Sequence, residues 1–249
     1  MYSLSQNQYI RIGDAATFLG VSIDTLRRWD KDGKLKPIET TRSHHRYYSR
    51  DDLSKYLDRM NIEKIAYKWV KSNKPLTPPK PFYCQTISDF SARLPRLEDI
   101  LQKENDLNET YSLITSSASE IGNNSFDHNL GNWPNIPGIF FGYSIKSSKR
   151  IVVLADKGQG ILTTLKRVKK NLLDDKEALN LAFTEIMSGR SPESRGNGLK
   201  YVRKVITSQK FFLKFQTGNA VLKLKHNDTK LDISISKYSI PGCLAIIEF

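Results

Sequence analysis

Cysteine is nearly missing from this chain. Cys84 and Cys243 are the two present in 249 residues, far apart and outside any C-x-x-C spacing, so neither a disulfide framework nor a zinc site is indicated. Both read as buried small apolar side chains. Long hydrophobic runs are also missing: nothing approaches the roughly 20 apolar residues that span a bilayer. The N-terminus, M-Y-S-L-S-Q-N-Q, lacks the basic-then-apolar layout of a signal peptide. These absences lead to the expectation of a cytoplasmic protein with no membrane attachment. No internal repeat is visible.

What is present fits a globular chain. Hydrophobic residues make up 39% and aromatics 10%, enough for one large domain or two small ones. The formal net charge is +13, which favours polyanionic partners without naming one. Residues 1 to 60 hold 11 Lys+Arg and 8 Asp+Glu, and residues 61 to 103 hold 8 and 4. The basic excess is therefore spread along the chain.

Near the N-terminus, Ile12, Ala15, Ala16 and Leu19 recur at helical spacing, Gly20 ends that helix, and Ser22 is a natural N-cap for the next. In the second helix Ile23, Leu26 and Trp29 share a stripe, leaving Thr25, Arg27, Arg28 and Lys31 nearer the outer faces. P-I-E-T-T-R-S-H-H-R-Y-Y-S then reads as two short strands joined by a basic turn, a wing, and a last helix starts at Ser49 with Asp51 and Asp52 in its first turn. His44 and His45 have no cysteine or acidic companions, which disfavours a metal site.

The stretches G-V-S-I-D-T-L-R-R-W-D-K-D-G-K-L and R-S-H-H-R-Y-Y-S-R-D-D-L, in that order, resemble the winged helix-turn-helix of the MerR and excisionase-like families. The resemblance covers about the first 60 residues. It implies double-stranded DNA as partner, with Thr25, Arg27, Arg28 and Lys31 facing the major groove. Arg42, His44, His45, Arg46 and Tyr47 become wing contacts by the same matching, and Trp29 a core residue.

Leu53 to Val70 looks helical, and S-N-K-P-L-T-P-P-K-P-F then holds four prolines, which forbid a continuous helix. Residues 1–60 are thus assigned to the DNA-binding domain, 61–83 to a helical and Pro-rich linker, and 84–249 to a second domain.

The second domain contains E-I-G-N-N-S-F-D-H, beginning at Glu120. Helical spacing puts Glu120 and Asn124 on one face, one turn apart. An Asn oxygen is a hard ligand suited to Mg²⁺, and a neighbouring Glu can orient or deprotonate water. E-x-x-x-N also occurs by chance on solvated helices. Arg150 to Ala155 has strand composition and runs into D-K-G-Q-G, so Asp156 sits at a strand end beside Gly158 and Gly160, placed to accept a hydrogen bond from an exocyclic amine such as adenine's. Further on, S-P-E-S-R-G-N-G-L-K opens a helix at Gly196 and Gly198, where free amides favour phosphate and Arg195 and Lys200 add positive charge. Strands are expected around Phe140 to Ile145, Phe211 to Phe215, Val221 to Lys225, Leu231 to Ile235 and Cys243 to Phe249.

E-I-G-N-N-S-F-D-H, D-K-G-Q-G and R-G-N-G-L, in that order, resemble the N box and the two glycine boxes of the GHKL superfamily, the ATP-binding domain shared by DNA gyrase, a heat-shock chaperone, histidine kinases and MutL. The resemblance implies a Bergerat fold: an α/β two-layer sandwich with a mixed, mostly antiparallel sheet and helices on one face. It implies ATP and Mg²⁺ as cofactors, with Asn124 on the metal, Asp156 on adenine, and Gly158, Gly160, Gly196, Gly198 and Leu199 shaping pocket and lid. His128 falls near the phosphates, Thr217 near an Asp156-bound water, and Glu120 at the position of the hydrolytic base. None of the histidines lies in a dimerisation helix of the kind histidine kinases phosphorylate, which argues against autophosphorylation.

Two functions follow as expectations. One is a regulator, dimeric on a palindromic operator, whose binding to DNA or to a partner protein from the same operon responds to Mg-ATP. The other is an ATPase or an anti-sigma-like protein kinase, tethered to DNA by the winged helix.

Overall fold

The computed structural model describes residues 8–19, 21–40, 45–59, 61–146, 149–185 and 198–249. A short strand, β1 (Tyr9–Arg11), leads into α1 (Ile12–Leu19) and α2 (Ile23–Lys31). Helix α2 starts where expected because the Ser22 hydroxyl accepts the Thr25 amide at 3.1 Å, satisfying a first-turn N–H. Strands β2 (Glu39–Thr40) and β3 (Arg46–Ser49) form the wing, and α3 (Arg50–Arg59) follows. Strand β1 was not anticipated, since three residues are too few to show an alternation; it pairs antiparallel with β3 to give the order β1-β3-β2. Ala15, Ala16, Leu19, Leu26, Tyr48 and Leu53 fill the core of this unit, and Trp29 packs on it, 5.0 Å from the ring of Tyr56.

Helix α4 (Ile62–Lys71) is capped by Asn61, whose side chain accepts the Lys64 amide at 3.0 Å. There follow β4 (Tyr83–Cys84), α5 (Ile87–Ser91), α6 (Leu94–Leu101) and the 20-residue α7 (Thr110–Asn129). Next come β5 (Ile139–Lys146), β6 (Lys149–Asp156), α8 (Gly160–Leu165), α9 (Asp175–Thr184), α10 (Gly198–Ser208), β7 (Phe212–Lys225) and β8 (Asp232–Glu248). Strands β4 to β8 form one sheet in the order β4-β5-β6-β8-β7, antiparallel at every described pairing.

The sheet is covered on both faces. Val152 and Leu154 of β6 pack with Phe90, Ile114, Leu179 and Val202, whereas Ile151, Val153 and Ala155 pack with Ile62, Ala66, Trp69 and Val70 of α4. This differs from the expectation of helices on one face, and it gives α4 a core role inside the stretch assigned as linker. The cause is visible in β6 itself: Ile-Val-Val-Leu-Ala has no polar alternate, so a solvated second face would leave three apolar side chains in water. Gly142 of β5 leaves room for α4, since a Cβ there would stand 2.5 Å from Ile62 Cδ1 and 2.8 Å from Phe82 Cδ1.

The last four expected strands are two long ones. Strands β7 and β8 continue through register shifts at Thr217/Gly218 and Gly218/Ala220. Gln216 Nε2 spans the irregularity, donating to Gly218 O at 3.2 Å and Tyr238 O at 2.9 Å. The Asp175 carboxylate accepts the Asn219 amide at 3.0 Å, so no backbone pairing is needed there.

The Pro-rich segment after α4 is fastened down. Trp69 Nε1 donates to Leu76 O at 2.7 Å, and Lys157 Nζ donates to Ser72 O at 2.7 Å and Lys74 O at 2.9 Å. Lys157 is 1% exposed, with its ammonium 5.2 Å from the Trp69 ring centroid. Burial pushes its pKa down, and the two carbonyls are the acceptors that let an ammonium stay there. Ile65 and Phe82 pack against both the helix-turn-helix core and the sheet face under α4, so the two cores are in contact.

Candidate functional site

Strand β6 carries Asp156 to the floor of a cavity, where the residue is 1% exposed. The Gly158 amide donates to Oδ1 at 2.8 Å and the Ser125 hydroxyl to Oδ2 at 2.8 Å. Desolvation nevertheless outweighs these bonds, together with those from Cys243 and Asn129, and pushes the carboxyl from 3.8 up to about 6. A buried acid poised this near neutrality, in a concave site, is the kind of group that recognises or reacts with a ligand. Two glycines make the burial sterically feasible. A Cβ on Gly242 would collide with Asp156 itself, and one on Gly158 with the Asn129 side chain, which in turn accepts the Gln159 amide at 2.8 Å.

The cavity encloses about 780 Å³ of empty space, its open mouth included. Ile121, Asn124, Ser125, His128 and Asn129 line it from α7, an i, i+3, i+4, i+7, i+8 stripe that is one face of a helix. Gly160, Ile161, Thr164 and Leu165 line it from α8, Ala182 from α9, Gly198 and Leu199 from the start of α10, and Phe215 and Cys243 from the sheet. The walls are thus largely apolar, with polar groups concentrated on α7 and at Asp156.

Of the sequence-derived site residues, Asn124, His128, Asp156, Gly160, Gly198 and Leu199 meet in this cavity. Glu120 is not among the lining residues but abuts them: a Cβ on Gly198 would stand 2.5 Å from Glu120 Oε2 and 3.1 Å from Asn124 Nδ2. Burial and the nearby Arg167 push His128 below its usual 6.5, so its ring is neutral at neutral pH. Gly158 acts through its amide and its close packing. Thr217 is fully buried behind the wall, where its hydroxyl accepts the Ile161 amide at 3.1 Å and bonds Cys243; it sets the start of α8. Lys200 lies on α10 outside the lining, and Arg195 and Gly196 fall outside the described residues.

Ser125, Asn129, Gly242 and Cys243 are site residues that the motifs did not single out. The first two were within reach, because they extend the Ile121, Asn124 and His128 stripe by the same helical arithmetic. For Gly242 and Cys243, P-G-C inside an apolar strand carries no such signal.

On the helix-turn-helix unit, Arg27, Arg28 and Lys31 are exposed along α2, while Thr25 is half-buried with its Oγ1 3.0 Å from Ser22 Oγ. Arg27 also meets Asp24 at 3.0 Å, a surface pair that leaves it reorientable. Arg46 is different: its Nε donates to Asp30 at 2.8 Å between half-buried side chains, binding the wing to the end of α2. Tyr47 is half-buried and His45 exposed; Arg42 and His44 lie outside the described residues.

Residues 11–48 match the model of the MerR family regulatory proteins. The match runs from the end of β1 into β3, and this unit is a MerR-type helix-turn-helix, which points to a DNA-binding regulator. No curated protein matches the chain. Among the described residues, no helix is long and apolar enough to cross a membrane.

Proposed function

We propose that this protein is an ATP-binding, DNA-binding transcriptional regulator whose grip on DNA or on a partner protein responds to Mg-ATP. The observation that carries the nucleotide half is the buried Asp156 carboxylate, held by Gly158 and Ser125 at the floor of a cavity that also gathers Asn124, His128 and the start of α10. In this reading Asp156 accepts the exocyclic amine of adenine and the apolar walls hold the ring. Gly198 lies where the phosphates would come, and the glycine-box resemblance adds Arg195, Gly196 and Lys200 as phosphate contacts. The Asn124 side chain lines the cavity, and its amide oxygen with the phosphates of the nucleotide would suit Mg²⁺, because Mg²⁺ keeps most of its ligands as water and phosphate oxygen. When bound, the metal would neutralise phosphate charge.

The DNA half rests on the MerR-type unit, with Thr25, Arg27, Arg28 and Lys31 offered to the major groove and Arg42, His44, His45, Arg46 and Tyr47 to the flanking backbone. A homodimer on a palindromic operator is the arrangement such a unit fits. A second reading is favoured by Glu120, which abuts Asn124 and Gly198: an ATPase or partner-directed kinase held on DNA by the winged helix. Titrating Mg-ATP against the full chain, and measuring fragment binding with and without it, separates the two. Regulation requires that ATP change DNA or partner affinity with Glu120→Gln as well as with the parent chain. An ATP response confined to the parent supports the enzyme.

A further inference from the structure

A second cavity lies on the other side of α4. Its walls come from both units: Leu19 and Trp29 from the helix-turn-helix, Trp69 and Ile65 from α4, and Leu76 from the Pro-rich strap, around roughly 1020 Å³ of empty space including the mouth. It shares no lining residue with the Asp156 cavity. Its wall is mostly apolar, and Leu76 is 53% exposed at its edge, a large side chain left in water. Among the described residues its lining charge is of one sign: Lys64 and Lys68 line it one helical turn apart and no acid does, while Glu63 of α4 pairs with Lys149 instead. Trp69 cannot offer its N–H to an occupant, because Leu76 O already takes it, so the ring presents its apolar body.

We propose that this cavity binds a small organic anion with a flat apolar body and an acidic head group, the body between Trp29 and Trp69 and the head at Lys64 and Lys68. Two aromatic walls suit a planar ring, and two lysines that have no ion pair among the described residues suit a carboxylate or sulfonate and disfavour a cation. Because the walls belong to the helix-turn-helix, α4 and the strap at once, an occupant bridges the DNA-binding unit to the rest of the chain. The inference does not depend on nucleotide binding at Asp156.

The test uses 8-anilinonaphthalene-1-sulfonate as probe, the full chain as receptor, and tryptophan emission as readout. Trp133 packs on Phe126, away from this cavity, so Trp133→Phe leaves Trp29 and Trp69 as reporters. Saturable one-to-one binding that quenches them, is weakened about tenfold by Lys64→Gln with Lys68→Gln, and is unaltered by Asp156→Asn supports the assignment. Both lysines are exposed, so the paired variant keeps its fold. Overturning results are unsaturable binding, equal affinity of the paired lysine variant, or loss of the site with Asp156→Asn.

Discussion

Asp156→Asn should make the protein more stable while weakening the Mg-ATP binding proposed for its cavity. The carboxyl is raised from 3.8 to about 6, so folding works against its ionisation. At 1.36 kcal/mol per tenfold change in proton affinity, the ionised form costs the native state about 3 kcal/mol once pH exceeds the folded value. Below about pH 4 the acid is protonated folded and unfolded alike, and the cost vanishes. Between those limits the native state holds more protons than the unfolded chain, so this residue makes stability fall as pH rises. Asparagine is nearly isosteric and removes the charge. Its Oδ1 can keep the Gly158 amide, and its amide N–H can donate to Ser125 Oγ, which already reaches Ile121 O at 3.3 Å. Denaturant unfolding at about pH 4, 6 and 7.5 should show the variant indistinguishable from the parent at the lowest pH and about 2 to 3 kcal/mol more stable at the highest. Mg-ATP affinity should fall at least about tenfold at the same time, since a charged acceptor is replaced by a neutral one. A variant less stable than the parent at about pH 7.5, or a gap that does not change with pH, would refute the buried-charge reasoning.

Other outcomes are expected. Gly198→Ala sets a methyl group against Glu120 and Asn124 and should lower Mg-ATP affinity about tenfold in isothermal titration, with the winged-helix surface unaffected. Glu120→Gln should bind Mg-ATP like the parent; if the enzyme reading is right, phosphate release falls about 100-fold or more, measured with a phosphate sensor. Arg28→Ala should weaken binding to genomic fragments and reduce the slope of log affinity against log salt by about 0.9. Arg46→Ala should do this and also cost about 1 kcal/mol of stability, because Asp30 loses its 2.8 Å partner; equal denaturation curves would remove the structural role.

Much of the site could be read from spacing. Glu120, Asn124 and His128 fall on neighbouring parts of one helical face by arithmetic, and Asp156 falls at the end of an apolar run followed by glycines. The depth of Asp156 was not readable, because it depends on Gly242, almost ninety positions away, being bare where the carboxylate sits. The role of α4 was written in two places that had to be combined. Ile62, Ala66, Trp69 and Val70 form an apolar stripe, and β6 has no polar alternate, yet the adjacent prolines read as a linker. Strands β7 and β8 looked like four because Gly218 and Pro241 interrupt the apolar pattern; side chains, chiefly Gln216, carry the pairing through. In the wing, Arg46 carried the same signal as its basic neighbours, and nothing local revealed Asp30 sixteen residues back.

Lys157 bears on where the chain can be divided. Its ammonium is satisfied by carbonyls of Ser72 and Lys74, before the boundary that the prolines suggest. A fragment starting at residue 84 would keep the buried lysine and lose both acceptors. It would also uncover Phe140, Val153 and Leu244, which Trp69 and its helix now shield. An orphaned buried cation and a bared sheet face together exceed what a marginally stable fold tolerates. The smallest autonomous piece that keeps the Asp156 cavity therefore begins at Asn61, with the strap retained for the two carbonyls it gives Lys157.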